Sequence, residues 1–130
     1  MAKTDYLEDA ILNHVLRNTA LTSPATVYVG LTSTATTDAD GGTELSGNGY
    51  ARQAVTFGAP AGDGSGSVSN SAEVLFPEAT GAWSEATHFF IADASTEGNR
   101  LYHGELDASR TAALGDQIRF AAGALTVTEA

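Results

Sequence analysis

Cysteine is absent from this chain of 130 residues, so no disulfide framework, thiolate metal site or cysteine nucleophile is available to it. Cations are scarce. Lys3 is the one lysine, and six Lys and Arg together face sixteen Asp and Glu, a formal net charge of −10. A surface this acidic repels phosphate backbones and anionic lipid head groups, which argues against nucleic acid and membranes as partners. No apolar run approaches the roughly 18–20 residues a membrane span requires. The first residues, Met1-Ala2-Lys3-Thr4-Asp5-Tyr6, turn acidic at once and offer no hydrophobic stretch of the kind a signal peptide has. Heptads, exact internal repeats and collagen-like or β-helical periods are missing too, which argues against an extended fibre shaft.

What is present suffices for a core. Hydrophobic residues make up 42% of the chain, and its length fits one domain, residues 1–130. Residues 1–19 read as a helix. Leu7, Ala10, Ile11, His14 and Val15 recur at the spacing of one helical face, and Leu12 and Leu16 lie off that stripe, where they suggest a second buried face. Thr4 or Asp5 can cap the start, Asp5-x-x-Glu8 has the form of a capping box, and Asn18 is a stop, about four turns in all. A stripe of Leu7, Ile11 and Val15 is expected to be covered by the rest of the chain or by a partner.

Residues 24–130 read as β. Thr26–Leu31, Tyr50–Phe57, Thr87–Ala92 and Arg100–Leu106 are rich in β-branched and aromatic residues. Gly- and Asp-bearing turns separate them. The rhythm predicts a mainly β fold: a single antiparallel β-sandwich of about seven strands with an N-terminal amphipathic helix. Thr32–Gly49 has no periodicity and many Gly and Asp, so it is expected to be a mobile or partner-ordered loop. Phe89 and Phe90 are adjacent and must face opposite sides of a strand. One belongs to the core; the other must be covered by the helix, a loop or a neighbouring subunit. Arg52 and Arg119 lie in apolar strand contexts. They read equally as register-fixing charges at an interface and as plain strand-surface charges.

Catalytic and metal chemistry finds little footing. His14, His88 and His103 fall in separate predicted elements, without the close pairing of a zinc site. Asp38-x-Asp40-Gly41 has two oxygen donors for Ca²⁺, but Glu44 comes too early for an EF-hand, and a solvated turn is the better reading. Gly47-Asn48-Gly49 and Gly62-x-Gly64-x-Gly66 carry no phosphate-binding Lys and open no helix. No Ser sits in a nucleophile elbow. The expectation is a non-enzymatic protein with no cofactor and no metal.

A resemblance covers nearly the whole chain. It is carried by Tyr50–Phe57, Val74-Leu75-Phe76-Pro77, Trp83, Thr87-His88-Phe89, His103-Gly104-Glu105-Leu106 and Gly115–Leu125, with the helix and Ser23–Val29 before them. In this order they resemble a family of small tailed-bacteriophage virion structural proteins, often labelled tail-fibre proteins. The resemblance implies a structural role in the virion, assembled in the host cytoplasm. Contacts would be with other virion proteins, major capsid or tail components, and with further copies in a homo-oligomer. An exterior capsid decoration or cement protein and a tail-fibre-base adaptor both fit a compact domain. The alternative is a host-glycan module of the tail, using Tyr50, Trp83, Phe89, Phe90 and Tyr102 as a platform. The residues expected to make assembly contacts are Leu7, Ile11, Val15, Arg52, Phe90 and Arg119.

Overall fold

The computed structural model describes residues 1–129. In chain order its elements are β1 (Ala2–Lys3), α1 (Asp5–Leu16), β2 (Val27–Thr32), β3 (Gln53–Val55), β4 (Ser67–Ser69), β5 (Val74–Leu75), β6 (Ala86–Ala92), β7 (Arg100–Arg110), β8 (Arg119–Phe120) and β9 (Thr126–Thr128). The fold is mainly β with one N-terminal helix. A five-stranded antiparallel sheet has the order β1-β7-β6-β2-β3, and two ribbons, β4-β9 and β5-β8, accompany it. The described residues thus hold nine strands where the sequence suggests about seven. The extra ones are two- and three-residue pieces too short to show a period.

Register sorts the side chains. Val29 lies opposite Ile91, and Leu31 opposite Phe89, on one face of the sheet; Gly30 lies opposite Phe90 on the other. The first face packs into one buried cluster with Val74, Phe76, Phe120 and Leu125, which the two ribbons and their flanks supply. Trp83 is in that cluster but opens no strand. It precedes β6, and its indole N–H donates to the Asn48 carbonyl at 2.8 Å. Tyr50 stacks on Phe76 and meets Trp83 edge-on, with centroids 6.2 and 5.5 Å apart. Asn70, 2% exposed, stitches the ribbon ends. Its amide donates to the Ala72 and Ala121 carbonyls, and its Oδ1 accepts from the Leu125 N–H. A buried amide so satisfied adds order at little cost.

α1 has 12 residues, three turns rather than four. Its cap is Thr4, whose hydroxyl oxygen accepts from the Leu7 N–H at 3.3 Å. The Asp5–Glu8 box does not form, because the cap lies one residue earlier and the Glu8 N–H donates to the Thr4 carbonyl. Asn18 ends the helix as the sequence predicts, in the left-handed region at φ 55°, which Asn tolerates better than most residues. Thr4 also donates to the Arg100 carbonyl at 2.6 Å, so one buried hydroxyl starts the helix and ties it to β7. Thr4→Ala is therefore expected to cost about 1–2 kcal/mol, the upper range for a cap, measurable as a lower urea midpoint. An unchanged midpoint would show that the cap contributes nothing.

Candidate functional site

The segment between β2 and β3 folds back over the sheet face that carries Phe90. It begins as a hairpin: Thr32 bridges Glu44, the Leu45 N–H donates to the Leu31 carbonyl, and the Ser33 N–H donates to the Thr43 carbonyl. Leu45 is buried in the main cluster. The expectation of a loop ordered only by a partner is thereby corrected. Its Gly and Asp residues make turns, and its sparse anchors, Leu45, Glu44 and Tyr50, all bind the chain's own sheet.

Glu44 is the centre of that attachment. Its carboxylate accepts from Arg52 Nε and Nη2, both at 2.9 Å, and from the Tyr50 hydroxyl at 2.7 Å. The Tyr50 oxygen in turn accepts from the Leu31 N–H. Arg52 Nη1 donates to the carbonyls of Ala94 and Glu97, which pins the β6–β7 turn, where Glu97 sits at φ 52°. Burial by itself would raise the Glu44 carboxyl; the hydrogen bonds from Arg52 and Tyr50 outweigh it and hold the group below the usual carboxylate range. Burial, then the bond to Glu44, pushes the Tyr50 phenol well above its ordinary value.

Beneath this network lies Phe90, with no exposed surface. The Arg100 guanidinium carbon is 3.9 Å from its ring centroid and that of Arg52 is 4.9 Å away. Strict alternation along β7 would point Arg100 away from Phe90, since His103 is Phe90's cross-strand partner. A register shift between Ile91 and Ala92 re-aims it. Arg100 also donates to the Gly41 carbonyl. Next to it, the His103 ring contacts Asp38 Oδ1 through Nε2 at 2.7 Å and Thr36 Oγ1 through Nδ1 at 2.8 Å. A neutral ring meets both by donating from Nε2 and accepting at Nδ1.

The expected assembly residues thus separate into two groups. Leu7, Arg52 and Phe90 are taken up inside the chain: Leu7 is 6% exposed, the Arg52 side chain 6%, and Phe90 has no surface with which to touch a neighbour. Phe90 is covered by the chain's own Arg52 and Arg100. Ile11 is half-buried. Val15 and Arg119 are exposed, and Arg119 faces Glu73 at 3.3 Å on the surface. The second buried helix face is corrected as well. Leu12 and Leu16 are 54% and 74% exposed, and Val15 of the main stripe is 67% exposed; α1 contacts β7, and Leu7 is its buried residue. Spacing picks out Leu12 and Leu16 but carries no signal that nothing in the described chain lies above them.

The five aromatic residues do not make one platform. Trp83, Phe89 and Phe90 are buried, and Tyr50 and Tyr102 spend their hydroxyls on Glu44 and Glu129. The three histidines stay apart: His14 accepts from the Leu21 N–H, His88 contacts Thr87, and His103 contacts Asp38. Asp40 closes a turn by accepting from the Gly42 N–H, while Asp38 joins Asp5 and Glu8 in an exposed trio whose oxygens lie within 4.8 Å of one another. No helix among the described residues is long and apolar enough to cross a membrane.

No curated protein matches the chain. A family model described as Podophage GP4 fiber I protein gp80 matches residues 2–128, the whole span from β1 to the end of β9. The residues of the sheet, the Glu44–Arg52 attachment and α1 all fall within that match, and the chain belongs to this family of phage fibre proteins, structural components of the virion.

Proposed function

We propose that the chain is a non-enzymatic attachment part of a phage fibre, acting through contacts between subunits. The observation that carries this is the exposed apolar end of α1, formed by Leu12, Val15 and Leu16. Three large apolar side chains on consecutive turns of one helix are a contiguous patch, and such patches mark interaction sites. The family description names a fibre. The sequence carries no repeat or heptad of the kind an extended shaft uses, so a base or adaptor position fits better than the shaft. The same description favours a fibre position over capsid decoration. A symmetric homo-oligomer, expected from the sequence, would use Arg119 and the ribbon surface around it rather than Arg52 or Phe90, which are covered.

The double substitution Leu12→Ser with Leu16→Ser tests this. Both side chains are largely in water, so stability is expected to change by less than about 0.5 kcal/mol. Incorporation into particles, read by mass spectrometry of purified virions, is expected to fall severalfold. Full incorporation with an unchanged melt would remove the helix from the interface.

A further inference from the structure

The outward face of α1 has two chemically different halves. At about 100° per residue, Asp5, Glu8, Asp9, Leu12 and Leu16 fall within one arc opposite Leu7, and Val15 lies at the edge of that arc, where it meets the Leu7–Ile11 stripe. All six are exposed. The first turns are acidic and the last two are apolar. Acids in the first turn do complement the helix dipole, and one or two would suffice for that. Here Asp5 and Glu8 are joined by Asp38 from the loop and followed by Asp9 on the helix, in a chain that already carries −10. A partner placed on Leu12, Val15 and Leu16 and lying along the helix must therefore also face this acidic half.

We propose that this face docks a basic amphipathic segment of a different virion protein, its apolar side chains on Leu12, Val15 and Leu16 and its Lys or Arg side chains on Asp5, Glu8 and Asp9. The proposal rests on the fibre-attachment reading and names the chemistry of the partner. A second copy fits poorly. Pairing the apolar ends about a two-fold axis buries three side chains per copy, far short of the roughly 800 Å² per partner of a stable interface. Sliding the helices to enlarge the overlap sets Leu12–Leu16 of one copy against the acids of the other, and the like net charges oppose approach. A basic partner gains from the same field, in encounter rate and in register.

The experiment uses virions. Leu12 is replaced by the photoreactive residue benzoylphenylalanine, and purified particles are irradiated and digested for mass spectrometry. The expected product joins this chain to one other virion protein, within a turn or a few residues of Lys or Arg. In parallel, Glu8→Lys with Asp9→Lys is expected to reduce incorporation by about tenfold, because two attractive pairs become repulsive, while lowering the melting temperature by no more than the few degrees that loss of a first-turn acid costs. A cross-link to a second copy, a cross-link to an acidic or uncharged surface, or none in particles that contain the protein overturns the proposal. Undiminished incorporation of the double Lys variant does so too. Absence of the unaltered protein from purified particles would instead overturn the attachment reading on which it stands.

Discussion

Phe90→Ala is expected to destabilise the protein by about 3–5 kcal/mol, the range for removing a fully buried aromatic ring, and to lower its melting temperature by roughly 10–25 °C. The ring has no exposed surface and is enclosed on every side. Below it lies Gly30, where a Cβ would come within 2.2 Å of the ring's Cζ, so the sheet itself has been hollowed to receive it. Above it are the guanidiniums of Arg100 and Arg52. Removing the ring opens a cavity under two cations and withdraws the π face both of them use, worth about 0.5–2 kcal/mol for each. Phe90→Leu separates the two contributions. It keeps most of the apolar volume and loses the ring quadrupole, so it should fall between wild type and Phe90→Ala. Gly30→Val should be at least as damaging as Phe90→Ala, since a branched side chain and the ring cannot share the space. Urea unfolding of the four proteins decides the matter. A cost below about 1 kcal/mol for Phe90→Ala would mean that the loop closes over the gap and that the ring is not the anchor described.

The adjacency of Phe89 and Phe90 shows how far the sequence could be read. Alternation assigns the two rings to opposite faces without any structure, and it correctly demands a cover for the second. It does not say which cover: Arg52 and Arg100, the side chains over the ring, are distant in sequence and are held in place by Glu44 and Gly41 of Thr32–Gly49, where no period exists. Glu44 and Arg52 are eight positions apart, on a loop and just before a strand. Neither carries a local signal that it pairs with the other, and Arg52 was legible only as an arginine in an unusually apolar setting. Arg100 was less legible still, since its approach to Phe90 depends on a bulge that strict alternation excludes. Thr4 and Asn18, legible as cap and stop, do have specific backbone duties at the helix ends, but the expected span of residues 1–19 is too long, since Ala2–Lys3 is a strand and the helix runs over Asp5–Leu16. The helix was less legible along its length, where periodicity shows which residues share a face but not whether anything lies against it. Val15 belongs by spacing with Leu7, yet Leu7 is buried and Val15 is in water.

Glu44→Gln is expected to cost about 3–5 kcal/mol near neutral pH, because it leaves the Arg52 guanidinium, its side chain only 6% exposed, without a counter-charge. It also unbalances Tyr50, which donates to the same carboxylate while holding the Leu31 N–H of β2. The loss should depend on pH in a definite direction. The Glu44 carboxyl is held below its ordinary value in the folded protein, so its contribution is fully present above the unfolded pKa of about 4.3 and disappears as pH falls through the folded value. The gap in unfolding free energy between wild type and Glu44→Gln should therefore narrow from pH 7 towards pH 3, with wild type losing more stability than the variant. At the alkaline end the sign reverses for the phenol. Tyr50 is raised in the folded state, so its contribution is present below about pH 10, where the unfolded phenol ionises, and is lost as pH climbs beyond it. Arg52→Lys provides an independent check. Lysine keeps the charge but cannot reproduce two parallel bonds to Glu44 together with bonds to the Ala94 and Glu97 carbonyls, so it should remain clearly destabilised at every pH. A gap between wild type and Glu44→Gln that stays constant from pH 7 to pH 3 would show that the carboxylate's charge is not what fastens the loop to the sheet.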